Sequence, residues 1–292
     1  MRVLTFDLEE WYHILEYPGA RSEEQWTGFE SRIAGNCDRI LGILADLEVR
    51  ATFFCLGWVA ERHPGVLQRI AAEGYEIGSH SHHHQLAYEL TPAEFARDLD
   101  RSVKCIEDII QRKVRSFRAP GFSLKRQNTW VFDSLLAQGI DVDCSVFPAA
   151  RAHGSFPDFG AAVPARVRCE GGEIKELPMS TRRVLGREIV FSGGGYFRLV
   201  PYSLLHKWTE LSPYLMTYFH PRDFDPDQPV LRGLSPIRRF KSYYGLGTAE
   251  SKLSRLLGEF EFTDLQGAVA RIDWGAATVI DVRDGRDAMP RR

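Results

Sequence analysis

No run in this sequence approaches the roughly 18 consecutive apolar residues that a membrane helix needs, so no membrane span is expected. A secretory leader, basic and then apolar, is also missing: Met1 to His13 turns acidic at Asp7, and a cytoplasmic location is the expectation. Paired cysteines are absent. The five present, Cys37, Cys55, Cys105, Cys144 and Cys169, are odd in number, widely spaced and never arranged as CxxC, which argues for reduced core thiols and against a disulfide frame. Neither sign of charge is in excess. With 37 Lys and Arg against 39 Asp and Glu, the formal net charge of -2 gives no field that would draw the chain to nucleic acid. Linkers, repeats and low-complexity stretches are lacking too, so one domain over residues 1–292 is expected, with a helical and strand extension from about residue 230.

What is there reads as an ordinary globular protein: 44% hydrophobic, 12% aromatic and 26% charged residues over 292 positions are enough to bury a large core. The first half alternates apolar runs with helical patterns. Val3, Leu4 and Phe6 predict a buried strand ending at Asp7, and a long insertion follows. Ile33, Ile40, Leu41, Leu44 and Leu47 recur at helical spacing, and Ala51 to Leu56 predicts a second strand. Val66, Leu67 and Ile70 mark another helix, after which Tyr75 to Gly78 leads into a histidine cluster. Thr91, Pro92 and Glu94 form a capped helix start, with Phe95, Leu99, Val103, Ile106 and Ile110 as its buried stripe. A further helix is expected over 128–138, strand character over 140–146, a hairpin at Gly171-Gly172, helices over 204–211 and 253–260, a strand over 214–219, and a fraying tail from Arg283. Strand, helix and strand in alternation call for an α/β fold, a mostly parallel sheet either open or closed as a barrel. In such a sheet chemistry gathers at the C-terminal strand ends.

The polar residues that end these strands are candidates for that chemistry. Asp7 and Glu9, two apart on extended backbone, point the same way, and neighbouring acids are costly unless a cation binds them. Ser79 to His84 holds four histidines in five positions, too dense for surface filler and well suited to a transition metal. Two histidines and one carboxylate fit zinc, iron, cobalt or manganese with positions left open for water and substrate. Arg118 lies beside the stiff Pro120-Gly121 turn, His220 ends the late strand, and Asp143 and Glu176 end two others. His82 and His83 are read either as exposed loop residues or as partners supporting the ligands.

In this order TFDLEE, HSHHH, RAPGF and FHP resemble the motifs of the NodB-type polysaccharide deacetylases, the family 4 carbohydrate esterases, from about Val3 to Pro229. The resemblance is to the members from bacterial exopolysaccharide and surface-glycan loci. It implies a distorted (β/α)7-type barrel and hydrolysis of an N-acetyl or N-formyl group on an amino sugar. It also implies one divalent metal, with zinc ahead of cobalt, iron, nickel or manganese. Asp7 would be the general base, Glu9, His80 and His84 the metal ligands, and His220 the general acid. Three departures stand out. The adjacent acid pair of the family is here Asp7-Leu8-Glu9, Gly121 and Phe122 exchange the family's aromatic and glycine, and the D-x-x-D-W motif has no clean counterpart, Asp143 being placed there.

Amide hydrolysis explains the residue types. A base takes the proton of water, Arg118 holds Asp7 by a charged hydrogen bond, the Gly121 N–H serves the oxyanion, and a histidine protonates the leaving amine. Trp11, Tyr12, Phe122, Trp130 and the 191–198 segment with Tyr196 are candidates for a sugar groove. The expected substrate is an N-acylated amino-sugar glycan or its nucleotide- or lipid-linked precursor. Two alternatives are a hydrolase of a cyclic or non-sugar amide, and a silent glycan-binding protein of the same fold.

Overall fold

A computed structural model describes residues 1–15, 17–149, 154–160, 162–184 and 186–283; the tail expected to fray lies almost wholly outside these. Thr5–Leu8 is buried at all four positions, as a strand covered on both faces must be. It pairs in parallel with Thr52–Cys55, which pairs in parallel with Glu76–Ser79. Ser116–Phe117, Val142–Asp143 and Gly172–Glu176 continue the parallel order. Ala165–Cys169 lies antiparallel to Gly172–Glu176 across the expected glycine turn, and Thr278–Asp281 adds an outer strand.

The other edge of Thr5–Leu8 meets the chain more than 200 positions later. The Asp7 N–H donates to the Phe219 carbonyl at 2.7 Å, and the Phe219 N–H donates to the Thr5 carbonyl at 3.1 Å. Arg2 and Val3 pair in parallel with Leu215 and Met216, and Gly193 bridges to Tyr218. This seam curls the sheet into a distorted α/β barrel. Gly193 can sit there because a Cβ would lie 1.9 Å from the Tyr218 carbonyl oxygen.

Helices cover the outside. Ile33–Asp46 buries Ile33, Cys37, Ile40, Leu41 and Leu44 against the sheet. Pro92–Ile110 begins with the Thr91/Glu94 capping box that the sequence predicts. The helix expected over 253–260 runs from Leu246 to Glu259, its start set by Gly245 at φ 75°. The strand expected over 140–146 contracts to Val142–Asp143, because Ser145 turns its hydroxyl back onto Asp143. Pro236–Tyr243 and Leu265–Arg271 are helices that the apolar pattern does not announce.

Candidate active site

Asp7 is the last residue but one of Thr5–Leu8, and its Oδ1 accepts a 2.7 Å hydrogen bond from Arg118 Nη1. The same Nη1 donates to Thr5 Oγ1 at 2.8 Å. Arg118 is fully buried, with its guanidinium 4.4 Å from the Phe54 ring centroid and 5.4 Å from that of Phe122. A buried cation without an anion is costly, so Asp7 and Arg118 hold each other in place.

Glu9 lies just beyond the strand. Its Oε1 is 2.9 Å from His80 Nε2 and 3.0 Å from His84 Nε2. His80 Nδ1 is 2.7 Å from the Arg118 carbonyl oxygen; that oxygen can only accept, so Nδ1 carries a proton there, which fixes the ring with Nε2 facing Glu9. His84 reaches the group through a loop in which Ser81 and His84 adopt positive φ, 68° and 55°. Burial pushes the Glu9 carboxyl up, but the facing His84 and His220 and the bonds from His80 and His84 outweigh it and hold Glu9 well below its ordinary value. The donor atoms of Glu9, His80 and His84 lie within 4.8 Å of one another. Two imidazole nitrogens and one carboxylate oxygen, buried and already oriented by hydrogen bonds, fit a divalent transition metal.

Across the seam stands His220. Its Nε2 is 4.0 Å from Asp7 Oδ2 and 4.0 Å from Glu9 Oε1. Its Nδ1 bonds Asp223 Oδ2 at 3.0 Å, and Asp223 Oδ1 pairs with Arg198 Nη1 at 3.0 Å. Burial alone would lower the pKa of His220, yet Glu9, Asp223 and Asp7 together raise it to about 9. Burial raises Asp223 as well, and Arg198 and His220 overcome it, leaving that carboxyl far below its ordinary value.

Other expected residues take different places. Gly121, at φ 61°, makes the tight turn after Pro120. Phe122 is buried, edge-on to Tyr218 and beside the Arg118 cation, so it floors the site and does not line a sugar groove. Trp11 points inward too: its Nε1 donates to the Glu30 carbonyl at 3.0 Å and its ring packs on Tyr12 and Phe29. Tyr12 is likewise buried, and Trp130 packs edge-on to Phe95. Tyr196 is 43% exposed, with the Lys241 ammonium 5.7 Å from its ring centroid.

Asp143 and Glu176 are fully buried, and neither hydrogen-bonds Arg118. Asp143 Oδ1 accepts from Ser145 Oγ at 2.5 Å, and that Oγ accepts from the Ala119 N–H at 2.7 Å, so Asp143 steadies the loop that carries Arg118. Burial raises both carboxyls, and the neighbouring Asp143 pushes Glu176 further up.

His82 is not exposed: it is fully buried, and burial lowers its pKa to about 4. His83 bridges Asp98 at 2.8 Å and Glu23 at 2.6 Å. Glu23, His82 and His83 also cluster, but Arg101 already stands against them, 3.3 Å from His83 Nε2 and paired with Glu61.

Sequence reasoning missed His13, Asp98, Asp223 and Arg198. His13 stacks on His84 with centroids 5.8 Å apart and planes at 23°. Asp98 receives the N–H groups of His82 and His83 at 2.7 and 3.0 Å, which fixes the loop of the ligands. Asp223 was legible in part, as an acid three residues after a histidine ahead of a proline turn; Arg198 carried no such signal.

A candidate hydrolytic cluster at the C-terminal strand ends of a distorted parallel barrel defines a NodB-type fold. Residues 22–136 match the family model described as polysaccharide deacetylase, and residues 144–270 match a domain of unknown function. The match at 22–136 makes that stretch of the chain similar to the polysaccharide deacetylases. A Mycobacterium smegmatis protein whose polysaccharide deacetylase activity is itself inferred superposes with a TM-score of 0.64 at 17% identity, over 95% of this chain and 91% of that one. A Bacillus anthracis pseudoenzyme of carbohydrate esterase family 4 superposes at 0.50 and 14% identity, over 91% and 64%. A Bacillus cereus peptidoglycan-N-acetylglucosamine deacetylase is 31% identical over 93 residues, 32% of this chain and 34% of that protein. This chain spans only 28–38% of the length of the first curated relatives it matches.

Proposed function

We propose that this protein is a metal-dependent N-deacetylase acting on an amino sugar of a bacterial surface glycan or its precursor. The observation that carries the reading is the convergence of Asp7, paired with Arg118, and His220, paired with Asp223, on the two sides of the Glu9, His80 and His84 cluster. A divalent metal bound there, zinc being the best match to the donor set, would polarise the amide carbonyl and acidify water.

The residues divide the remaining work. Arg118 fixes Oδ1 of Asp7, leaving Oδ2 to take the proton of the attacking water. His220, protonated and anchored through Nδ1 on Asp223, presents Nε2–H to the departing amine. The open turn at Gly121 supplies a backbone N–H for the developing oxyanion. Closure of residues 215–219 on the first strand supports one folding unit over the described residues.

Acetate release from N-acetylated chito- and peptidoglycan oligosaccharides by purified protein, lost on chelation and restored by zinc, tests this reading. Sugar binding without release of acetate or formate would assign the chain to silent glycan-binding proteins instead. A family-4 pseudoenzyme among the structural neighbours gives that alternative its place.

A further inference from the structure

The segment from Gln228 to Ala249 contains no acidic residue over 22 positions, yet it carries Arg232, Arg238, Arg239 and Lys241 in a chain whose net charge is -2. Its helix, Pro236–Tyr243, is amphipathic in the wrong sense for a helix that packs on a core. Ile237 is 72% exposed, Phe240 51% and Tyr244 51%, at i, i+3 and i+7 on one side. The Phe240 and Tyr244 rings touch, with centroids 4.8 Å apart. The inward side is polar: Ser242 is buried, and the Tyr243 hydroxyl accepts from the Leu231 N–H at 2.9 Å. Arg232, Arg239 and Lys241 are exposed, and no carboxylate pairs with them among the described residues.

This stripe leans on the site. The Lys241 carbonyl accepts from Arg198 Nη2 at 2.8 Å, Arg198 pairs with Asp223, and Asp223 holds His220. Gly195 lies so close that a Cβ there would be 2.7 Å from the same carbonyl oxygen.

We infer that the Pro236–Tyr243 helix is a docking element for an anionic lipid bilayer, and that it brings the mouth of the active site to the headgroup layer. Apolar side chains projecting outward between unpaired cations match a surface that is apolar within and negative without. A second copy of the chain matches it poorly, because a twofold contact would set the cations of one stripe against those of the other. Docking stands without the proposed activity. Only its corollary, that the amino sugar is presented on a membrane lipid, rests on that reading.

Vesicle flotation of the full chain tests the inference, with phosphatidylcholine vesicles containing none or about 30% phosphatidylglycerol. The wild type should float with the anionic vesicles, not the neutral ones, and binding should fall several-fold between about 0.05 and 0.5 M salt. The pair Ile237→Ser/Phe240→Ser and, separately, Arg232→Glu/Arg239→Glu should each reduce binding by more than about tenfold. Thermal stability and turnover of a soluble chitooligosaccharide should stay at wild-type levels. Equal binding to neutral vesicles, or none to anionic ones, overturns the inference. So does a wild-type dimer that the same substitutions dissociate, or lost turnover of the soluble sugar with vesicle binding intact. A protein that floats as expected but releases no acetate supports docking while overturning the proposed function.

Discussion

Removing His220 from the metal-free protein should change how stability depends on pH, by an amount set by its surroundings. Free histidine titrates at 6.5, and the carboxylates of Glu9, Asp223 and Asp7 raise His220 to about 9 in the fold. A group that binds its proton more tightly when folded stabilises the fold while protonated in both states, and ceases to do so once it is neutral in both. The contribution is therefore complete below pH 6.5, declines through the interval, and is gone above about 9. A rise of that size corresponds to about 3 kcal/mol. Denaturant unfolding with chelator present, at about pH 6 and about pH 10, should show the wild type losing about 3 kcal/mol more than His220→Gln, which lacks this titration. With a divalent metal bound, Glu9 shares its charge with the cation and the difference should shrink. Identical pH dependence in the two proteins would refute the placement of His220 among these carboxylates, and a difference that metal leaves unchanged would remove Glu9 from the ligand set.

Asp7→Asn should keep its metal while turnover falls by about 100- to 10,000-fold, whereas Glu9→Gln and His84→Ala should lose metal first; metal content measured beside acetate release separates base from ligand. Arg118→Met leaves the Asp7 carboxylate without its buried partner and should cost about 3–5 kcal/mol of stability in urea unfolding, and a loss below about 1 kcal/mol would deny the pair its structural role. Gly57→Ala would place a Cβ 2.3 Å from His82 Nδ1 and 2.9 Å from Ser102 Cα. It should destabilise the protein by about 1–3 kcal/mol and weaken zinc retention by displacing the 80–84 loop, as thermal melting and zinc titration would show.

The strand ends were legible because a short apolar run that stops at Asp7, His80, Arg118 or His220 shows both its burial and its chemistry in the same few letters. Their partners were harder to read. Arg198 meets Asp223 from 25 positions away, and nothing in FSGGGYFR distinguishes an arginine aimed at a carboxylate from one in solvent. Aromatic direction was also hidden, since Trp11 and Phe122 flank the site in sequence but turn inward, and hydrophobicity alone does not say which way a loop residue faces. Asp143 occupies a strand end as expected, yet it acts on the Arg118 loop through Ser145, a relay that depends on tertiary register. The Pro236–Tyr243 helix escaped notice because its apolar residues lie outside, so no buried stripe marked it.

The closing seam of the barrel orders events during synthesis. Everything that would hold the metal, Glu9, His80 and His84, precedes His220 by more than 130 positions, and the strands beside these residues pair with one another. The proposed acid, His220, belongs to a segment joined to the first strand through contacts between residues more than 200 positions apart, the slowest kind to form. On the proposed reading, a growing or truncated chain would gather its metal ligands before it could deliver a proton. On that reading, hydrolysis would become available only when Phe219 docks beside Asp7, so the step that closes the barrel would also switch on the chemistry.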